Sequence, residues 1–378
     1  MNYSYLITPV IIFSFVFSCH MLYKAKFLPH LSAVGHRFDY IDGLRGIAAI
    51  LVVCSHSWRF RDIGFINDEI TKADYYYMGN MGALGVQIFF CITGFLFFKK
   101  ILDQGLDIDW KSFYISRIKR LTPLYLAFCL CVVLVGMCVS GVYSFNSKSL
   151  TSLAKILSFG FMGANFEIGD YNSGYITPIL WTLPYEWKFY FSIPFIAVCL
   201  SSRFSSVLFI MISILMYAML SASDSFNIWV FFLTGGAAAY LCKFDLVKYK
   251  APLMTLFYIT LFAIIYSITL KDTPKYGFFR AVSTSLLFFL TVIVKPNIFR
   301  VKGLVYAGEI SYGVYLFHLM IMFIFNSQVS RYISNHTIEP WVVLSLACCY
   351  CFLLSILTSI TFKYIEYPFM KKLFKSSP

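Results

Sequence analysis

The sequence predicts an all-α, polytopic transmembrane helical bundle of about eleven spans. Three observations predict it. Hydrophobic residues make up 59% of the 378-residue chain and charged residues only 13%, whereas soluble domains carry roughly 25% charged residues. The mean hydropathy is +0.74, more apolar surface than a soluble fold of this length can hide. The apolar residues also fall in runs long enough to cross the hydrocarbon layer, which takes ~20 residues per helix. The same bulk excludes disorder, collagen-like repeats and disulfide-stapled secreted folds.

In chain order the predicted spans are 4–23, 41–58, 81–98, 121–143, 178–200, 206–222, 226–242, 251–270, 279–294, 304–326 and 341–362. The first lacks a basic start and a clear small-x-small cleavage site, so it reads as a retained helix rather than a signal peptide. Segments 206–222 and 226–242 are weakly separated, which leaves ten spans as the alternative count. The longest outer connection is 144–174, with no large polar domain, internal repeat or low-complexity tract. Any chemistry must therefore lie in the membrane body or at its faces.

Lys plus Arg number 31 and Asp plus Glu 18, a net charge of +13. A basic excess can mark nucleic-acid binding. Here the cations cluster in short loops between apolar runs, as membrane topology requires, and no nucleic-acid partner is expected. With a cytoplasmic C-terminus, the inner segments 24–40, 99–120, 201–205, 243–250, 295–302 and 363–378 hold 20 Lys and Arg, against 9 in the outer loops. That bias predicts an outside N-terminus and an inside C-terminus. The 11 cysteines lie mostly inside apolar runs and lack metal-ligand spacing with nearby His. They read as small core hydrophobes, with no disulfide framework and no metal site.

Ionisable residues inside a span are costly, so each is a functional candidate. The second span carries Asp42-Gly43-Leu44-Arg45-Gly46, then His56. Eleven steps of ~100° bring Arg45 and His56 to within about 20° of one another, on one helix face and ~16 Å apart along the axis. Asp42 is one turn before Arg45 and can pair with it. Gly43 and Gly46 permit close approach of another helix or a ligand. The plain alternative is an Arg snorkelling to one interface and a His at the other. Trp181-Thr182-Leu183-Pro184-Tyr185-Glu186-Trp187-Lys188 places Glu186 in or near the outer half of a span, or in an interfacial aromatic belt. Ser311-Tyr312-Gly313-Val314-Tyr315-Leu316-Phe317-His318 carries a second intramembrane His, for which simple packing is the alternative. Arg117 and Arg120 end the basic inner loop three residues apart. Guanidinium pairs suit phosphate through bidentate charge-assisted forks, and positive-inside anchoring also accounts for them.

Together these strings resemble the acyltransferase-3 family of bacterial integral-membrane acyltransferases. Arg45 and His56 meet that family's Arg-x10-His pattern. Gly85 to Leu96, Phe113 to Tyr125, Trp181 to Pro194, Ile310 to His318 and Tyr364 to Pro368 match further blocks in order, across about residues 40–368. Three positions depart from the pattern: Gln87 where an acid is frequent, Trp187 for a second acid after Glu186, and Tyr367 for the usual Arg before Pro368. The family usually has ten spans with the Arg-His helix first. Residues 1–35 then form an added helix and linker, 36–370 the acyltransferase membrane domain and 371–378 a basic cytoplasmic tail. The soluble SGNH-type domain of some relatives is not expected.

The resemblance implies transfer of an acyl group, usually acetyl, from cytoplasmic acetyl-CoA to a hydroxyl of a cell-surface or lipid-linked glycan. The place implied is the bacterial inner membrane, and the leading acceptor is the O-antigen of lipopolysaccharide. Capsule, exopolysaccharide and peptidoglycan are alternatives. On this reading Arg45, Arg117, Arg120 and Asp42 hold the polyanionic donor, His56 is the general base and Glu186 orients it or binds acceptor. Tyr312, His318 and Trp181 then contact the acceptor. A glycolipid transporter or flippase is the rival reading, and it predicts repeated broken helices that the sequence lacks.

Overall fold

A computed structural model describes residues 3–32, 38–63, 72–201, 207, 211, 228–270, 274–333 and 338–374. Ten of the eleven predicted spans coincide with a described helix. The exception, 206–222, lies outside the described residues apart from Val207 and Met211. Helix α1 (Tyr3–Lys24) is followed by α2 (Asp39–Ser55), α3 (Lys72–Gln104), α4 (Trp110–Ser140) and α5 (Ser147–Leu157). After a two-stranded hairpin, β1 (Glu167–Ile168) and β2 (Tyr171–Asn172), come α6 (Leu183–Ser201), α7 (Trp229–Leu241), α8 (Lys250–Thr269) and α9 (Phe278–Val294). The chain closes with α10 (Lys302–Glu309), α11 (Ser311–Ile333), α12 (Pro340–Thr361) and α13 (Tyr367–Phe374), with a π turn at Phe362–Glu366 before the last.

Among the described residues, six helices are long and apolar enough to cross a membrane: Tyr5–Lys24, Tyr76–Gln104, Trp110–Ser140, Lys250–Thr269, Ser311–Ile333 and Pro340–Met370. The protein is thus an all-α, integral-membrane helical bundle. Three expectations need correction. The span 304–326 is two helices, because Ile310 leaves helical geometry (φ −85°, ψ 5°) and α10 turns to lie along α2. Helix α3 outruns its predicted span, because its polar ends stay helical. The connection 144–174 holds a helix and the hairpin: the Asn146 side chain accepts from the Lys148 and Ser149 backbone N–H groups and caps α5. Tyr125 then donates to the Ile156 carbonyl at 2.5 Å, tying α5 to α4.

Lipid is as apolar as a leucine side chain, so these helices are held together by close packing and by polar links across their interfaces. A Cβ on Gly308 would collide with the Asp42 carbonyl, and one on Gly46 with the Leu304 carbonyl. Those two positions let α10 and α2 meet backbone to backbone. The N-terminal α1 is tied in by polar pairs: Ser14 donates to Cys348 at 3.1 Å, and Ser18 bonds Ser355 at 2.5 Å. The start of α4 is fixed by Asp109, whose carboxylate accepts from the Ser112 hydroxyl and backbone N–H. These bonds hold the Asp109 carboxyl below the usual carboxylate range.

Candidate active site

Helices α2, α3 and α11 border two cavities, one toward each end of α2, and α4 and α6 complete the wall of the first. The first, of about 360 Å³, is lined by Arg45, Lys100, Arg117, Arg120, Glu186 and Tyr312, among others. Arg45 leaves α2 one turn after Asp42, and the two pair at 3.4 Å. Arg117 and Arg120 share one face of α4, as their three-residue spacing requires. The Arg117 guanidinium lies 5.1 Å above the Phe97 ring. Lys119 is not among the lining residues. Glu186, from the first turn of α6, accepts a hydrogen bond from the Tyr190 hydroxyl one turn on. Three guanidiniums thus converge on a space whose wall holds a single carboxylate among the described residues.

The second cavity, of about 420 Å³, is lined by His56, Trp58, Arg59, Trp181, Lys275 and Tyr276, among others, with no Asp or Glu on its wall among the described residues. His56 follows the last residue of α2, and its Nδ1 is buried without a hydrogen-bond partner. Arg59 donates to the Tyr175 carbonyl at 2.5 Å and stacks 3.8 Å from the Tyr175 ring. Three aromatic side chains therefore frame an imidazole-bearing pocket whose wall also carries Arg59 and Lys275.

Val86 and Tyr315 line both cavities, so the two meet at these side chains. Tyr315 is held in place: its hydroxyl bonds Thr182 at 2.8 Å and donates to the Ile179 carbonyl at 2.7 Å. Both partners belong to the 3₁₀ turn Pro178–Thr182 that precedes α6.

The predicted residues divide between the cavities. Arg45, Arg117 and Arg120 come together, with Asp42 behind Arg45. His56 and Trp181 come together at the other end. Two placements differ from expectation. Glu186 stands in the arginine cavity and not beside His56, because five residues separate it from Trp181 and α6 leads away from the 3₁₀ turn. Tyr312 also stands in the arginine cavity, and its hydroxyl donates to the Leu121 carbonyl of α4 at 3.1 Å. It lies six residues from His318 on α11, ~9 Å along the axis. His318 is fully buried and does not line either cavity, but its ring centroid is 5.3 Å from that of His56.

Sequence reasoning missed Tyr315, although it lies one turn from His318 on the same helix face. It also passed over Lys275, whose side chain lies against Gly79 at the second cavity. Gln87 acquires a physical reason. Its amide donates to the Lys275 carbonyl at 2.8 Å and accepts from the Thr284 hydroxyl at 2.8 Å. An ionised acid there can accept but not donate.

Such a fold and site define a class: a membrane-embedded helical bundle with polar groups gathered in paired internal cavities. The chain matches the model of an acyltransferase domain over residues 38–360, and it belongs to that family. Its relatives include the O-acetyltransferase OatA of Staphylococcus aureus (strain NCTC 8325 / PS 47), 24% identical over 394 residues, covering 94% of this chain and 59% of that protein. A provisionally named acetyltransferase of Acidianus two-tailed virus is 25% identical over 320 residues, covering 79% of this chain and 88% of the other. A provisionally named O-acetyltransferase of S. aureus (strain COL) is 27% identical over 384 residues, covering 89% and 58%. The chain thus spans less than two thirds of the length of the Staphylococcus relatives. No solved structure matches it.

Proposed function

We propose that the protein is an O-acetyltransferase that moves an acetyl group from acetyl-CoA to a hydroxyl of a cell-surface glycan, across the bacterial inner membrane. The observation that carries this reading is the meeting of the two cavities at Val86 and Tyr315. One is built for a polyanion, and the other offers an imidazole to a neutral or hydroxyl-bearing ligand. Family membership and the printed names of the relatives support the same chemistry.

In this mechanism the donor enters from the cytoplasm, on the side given by the loop charges. Arg45, Arg117 and Arg120 grip its phosphates through charge-assisted hydrogen bonds. The pantetheine arm follows α2 toward His56, a run of ~16 Å. The glycan lies in the outer cavity with its apolar ring faces against Trp58, Trp181 and Tyr276. His56 takes the hydroxyl proton as the oxygen attacks the thioester carbonyl. The C–O bond forms, the C–S bond breaks, and the proton passes from the imidazolium to the departing thiolate. Glu186, held by Tyr190 among the guanidiniums, fixes the arginine cluster rather than the imidazole. The N-terminus is outside and the C-terminus cytoplasmic.

The test is acetyl transfer by the purified full-length protein in lipid nanodiscs, supplied with acetyl-CoA and O-antigen oligosaccharide. Free thiol and a product heavier by one acetyl group are expected. Capsular, exopolysaccharide and peptidoglycan fragments in parallel identify the acceptor. Absence of thiol release with every glycan, from folded protein that binds the donor, removes the proposal.

A further inference from the structure

His318 and His56 form a pair that the sequence did not reveal, and their hydrogen bonds fix how it works. His318 Nδ1 lies 3.1 Å from the Val314 carbonyl oxygen and 2.9 Å from that of Tyr315, both one turn back on α11. Carbonyl oxygens only accept, so Nδ1 carries the hydrogen. Among the described residues no carboxylate pairs with either ring. A protonated His318 would thus be an uncompensated buried cation, and the ring is neutral. Its Nε2 is therefore a bare lone pair, and it is buried with no partner. The facing ring is His56, tilted by 40°, whose Nδ1 is also buried with no partner.

Two orphaned nitrogens on facing rings are costly unless they satisfy one another. Each ring nitrogen lies about 1.1 Å from its centroid, so rings 5.3 Å apart can bring two nitrogens to about 3 Å, hydrogen-bond distance. A modest rotation of His56 completes the contact. The charged groups nearby are Arg59, engaged with Tyr175, and Lys275 on the cavity wall.

We infer that His318 is the positioning residue for His56: its Nε2 accepts a hydrogen bond from His56 Nδ1–H and so leaves the His56 Nε2 lone pair for the acceptor hydroxyl. The inference rests on His56 as general base. The backbone of α11 sets the tautomer of His318, and His318 sets that of His56. When His56 takes up a proton at Nε2, His318 already holds the Nδ1–H and stabilises the cation. A histidine thereby fills the place that the sequence suggested for Glu186. The floor under His318 is fixed as well, since Tyr350 donates to its carbonyl at 2.8 Å.

The experiment compares His318→Gln, His318→Asn and His318→Leu in the full-length protein. Gln carries an acceptor where Nε2 stood, Asn supplies a group only at the Nδ1 position, and Leu supplies neither. Asn and Leu are expected to lower kcat by about 10²-fold at near-constant donor KM, with Gln within about fivefold of wild type. A purely structural role would not separate Gln from Asn. Wild-type kcat in the Leu or Asn variant, or a fall in Gln as deep as in Asn, overturns the inference. A second measurement does not need turnover. ¹⁵N-histidine NMR of the protein, which has 6 histidines, is assigned by subtracting His56→Ala and His318→Ala spectra. A bare Nε2 and protonated Nδ1 are expected on both rings. A protonated Nε2 on His318 refutes the inference even if acetyl transfer proceeds, whereas a failure of transfer alone strikes the proposed function.

Discussion

The two cavities have similar volumes and opposite chemistry. At one end of α2, Arg45, Arg117 and Arg120 crowd together with Lys100 nearby, and Glu186 is the one acid lining the cavity among the described residues. At the other end, an imidazole stands among aromatic rings with Arg59 and Lys275, and no acid lines the wall among the described residues. The difference teaches how a membrane protein handles an expensive charge. Three guanidiniums share one cavity around a carboxylate, whereas the guanidinium at the other, Arg59, is engaged with the Tyr175 carbonyl and ring. Arg280 shows what happens away from both cavities. It is fully buried in α9, donates to the Ser267 hydroxyl at 2.9 Å and to its carbonyl at 3.4 Å, and leaves Nε unpartnered.

If the division of labour holds, the sharpest contrast comes from one substitution in each cavity. His56→Ala should lower kcat by about 10²- to 10⁴-fold with donor affinity intact, read by steady-state acetyl transfer and donor binding. Equal loss of donor affinity would erase the contrast. Arg45→Ala should do the reverse, raising donor KM by about 10- to 100-fold as charge-assisted bonds are lost, with a smaller change in kcat. An unchanged KM would detach the arginine cavity from the donor.

The partition between the cavities gives a smaller effect. Tyr315→Phe removes the bonds to Thr182 and the Ile179 carbonyl. Longer acyl donors such as butyryl-CoA should gain roughly three- to tenfold relative to acetyl-CoA, as the freed ring yields space. A fixed acyl preference would place the constriction elsewhere. The smallest effect belongs to a region outside both cavities. Asn146→Ala removes the cap of α5 and should cost about 1 kcal/mol of stability, seen as a lower melting temperature with unchanged kcat and KM.

Much of the site was legible in the sequence because helical periodicity is a local rule. Eleven residues return to one helix face, so Arg45 and His56 could be placed together without a structure. The Arg117–Arg120 face follows from the same rule. Glu186 and Tyr312 were assigned to the wrong neighbours because their cavity depends on where a 3₁₀ turn becomes an α-helix and where Ile310 breaks the chain. Gln87 looked like a departure from a pattern until the structure showed its amide donating to one helix connection and accepting from α9. His318 offered packing or acceptor contact as readings, since neither its tautomer nor its facing ring is written in its own segment.

Composition alone determined that lipid is the solvent, because the chain has too much apolar surface for water to tolerate. The length of the apolar runs, ~20 residues where a barrel strand needs about ten, determined that helices would be the element. Spacing alone put a guanidinium and an imidazole on one stripe. Tertiary structure decided which helices face that stripe, how the space divides at Val86 and Tyr315, and that the ring facing His56 is a second imidazole. Those contacts join residues hundreds of positions apart. They depend on backbones meeting at glycines such as Gly308 and Gly46, which local periodicity does not encode.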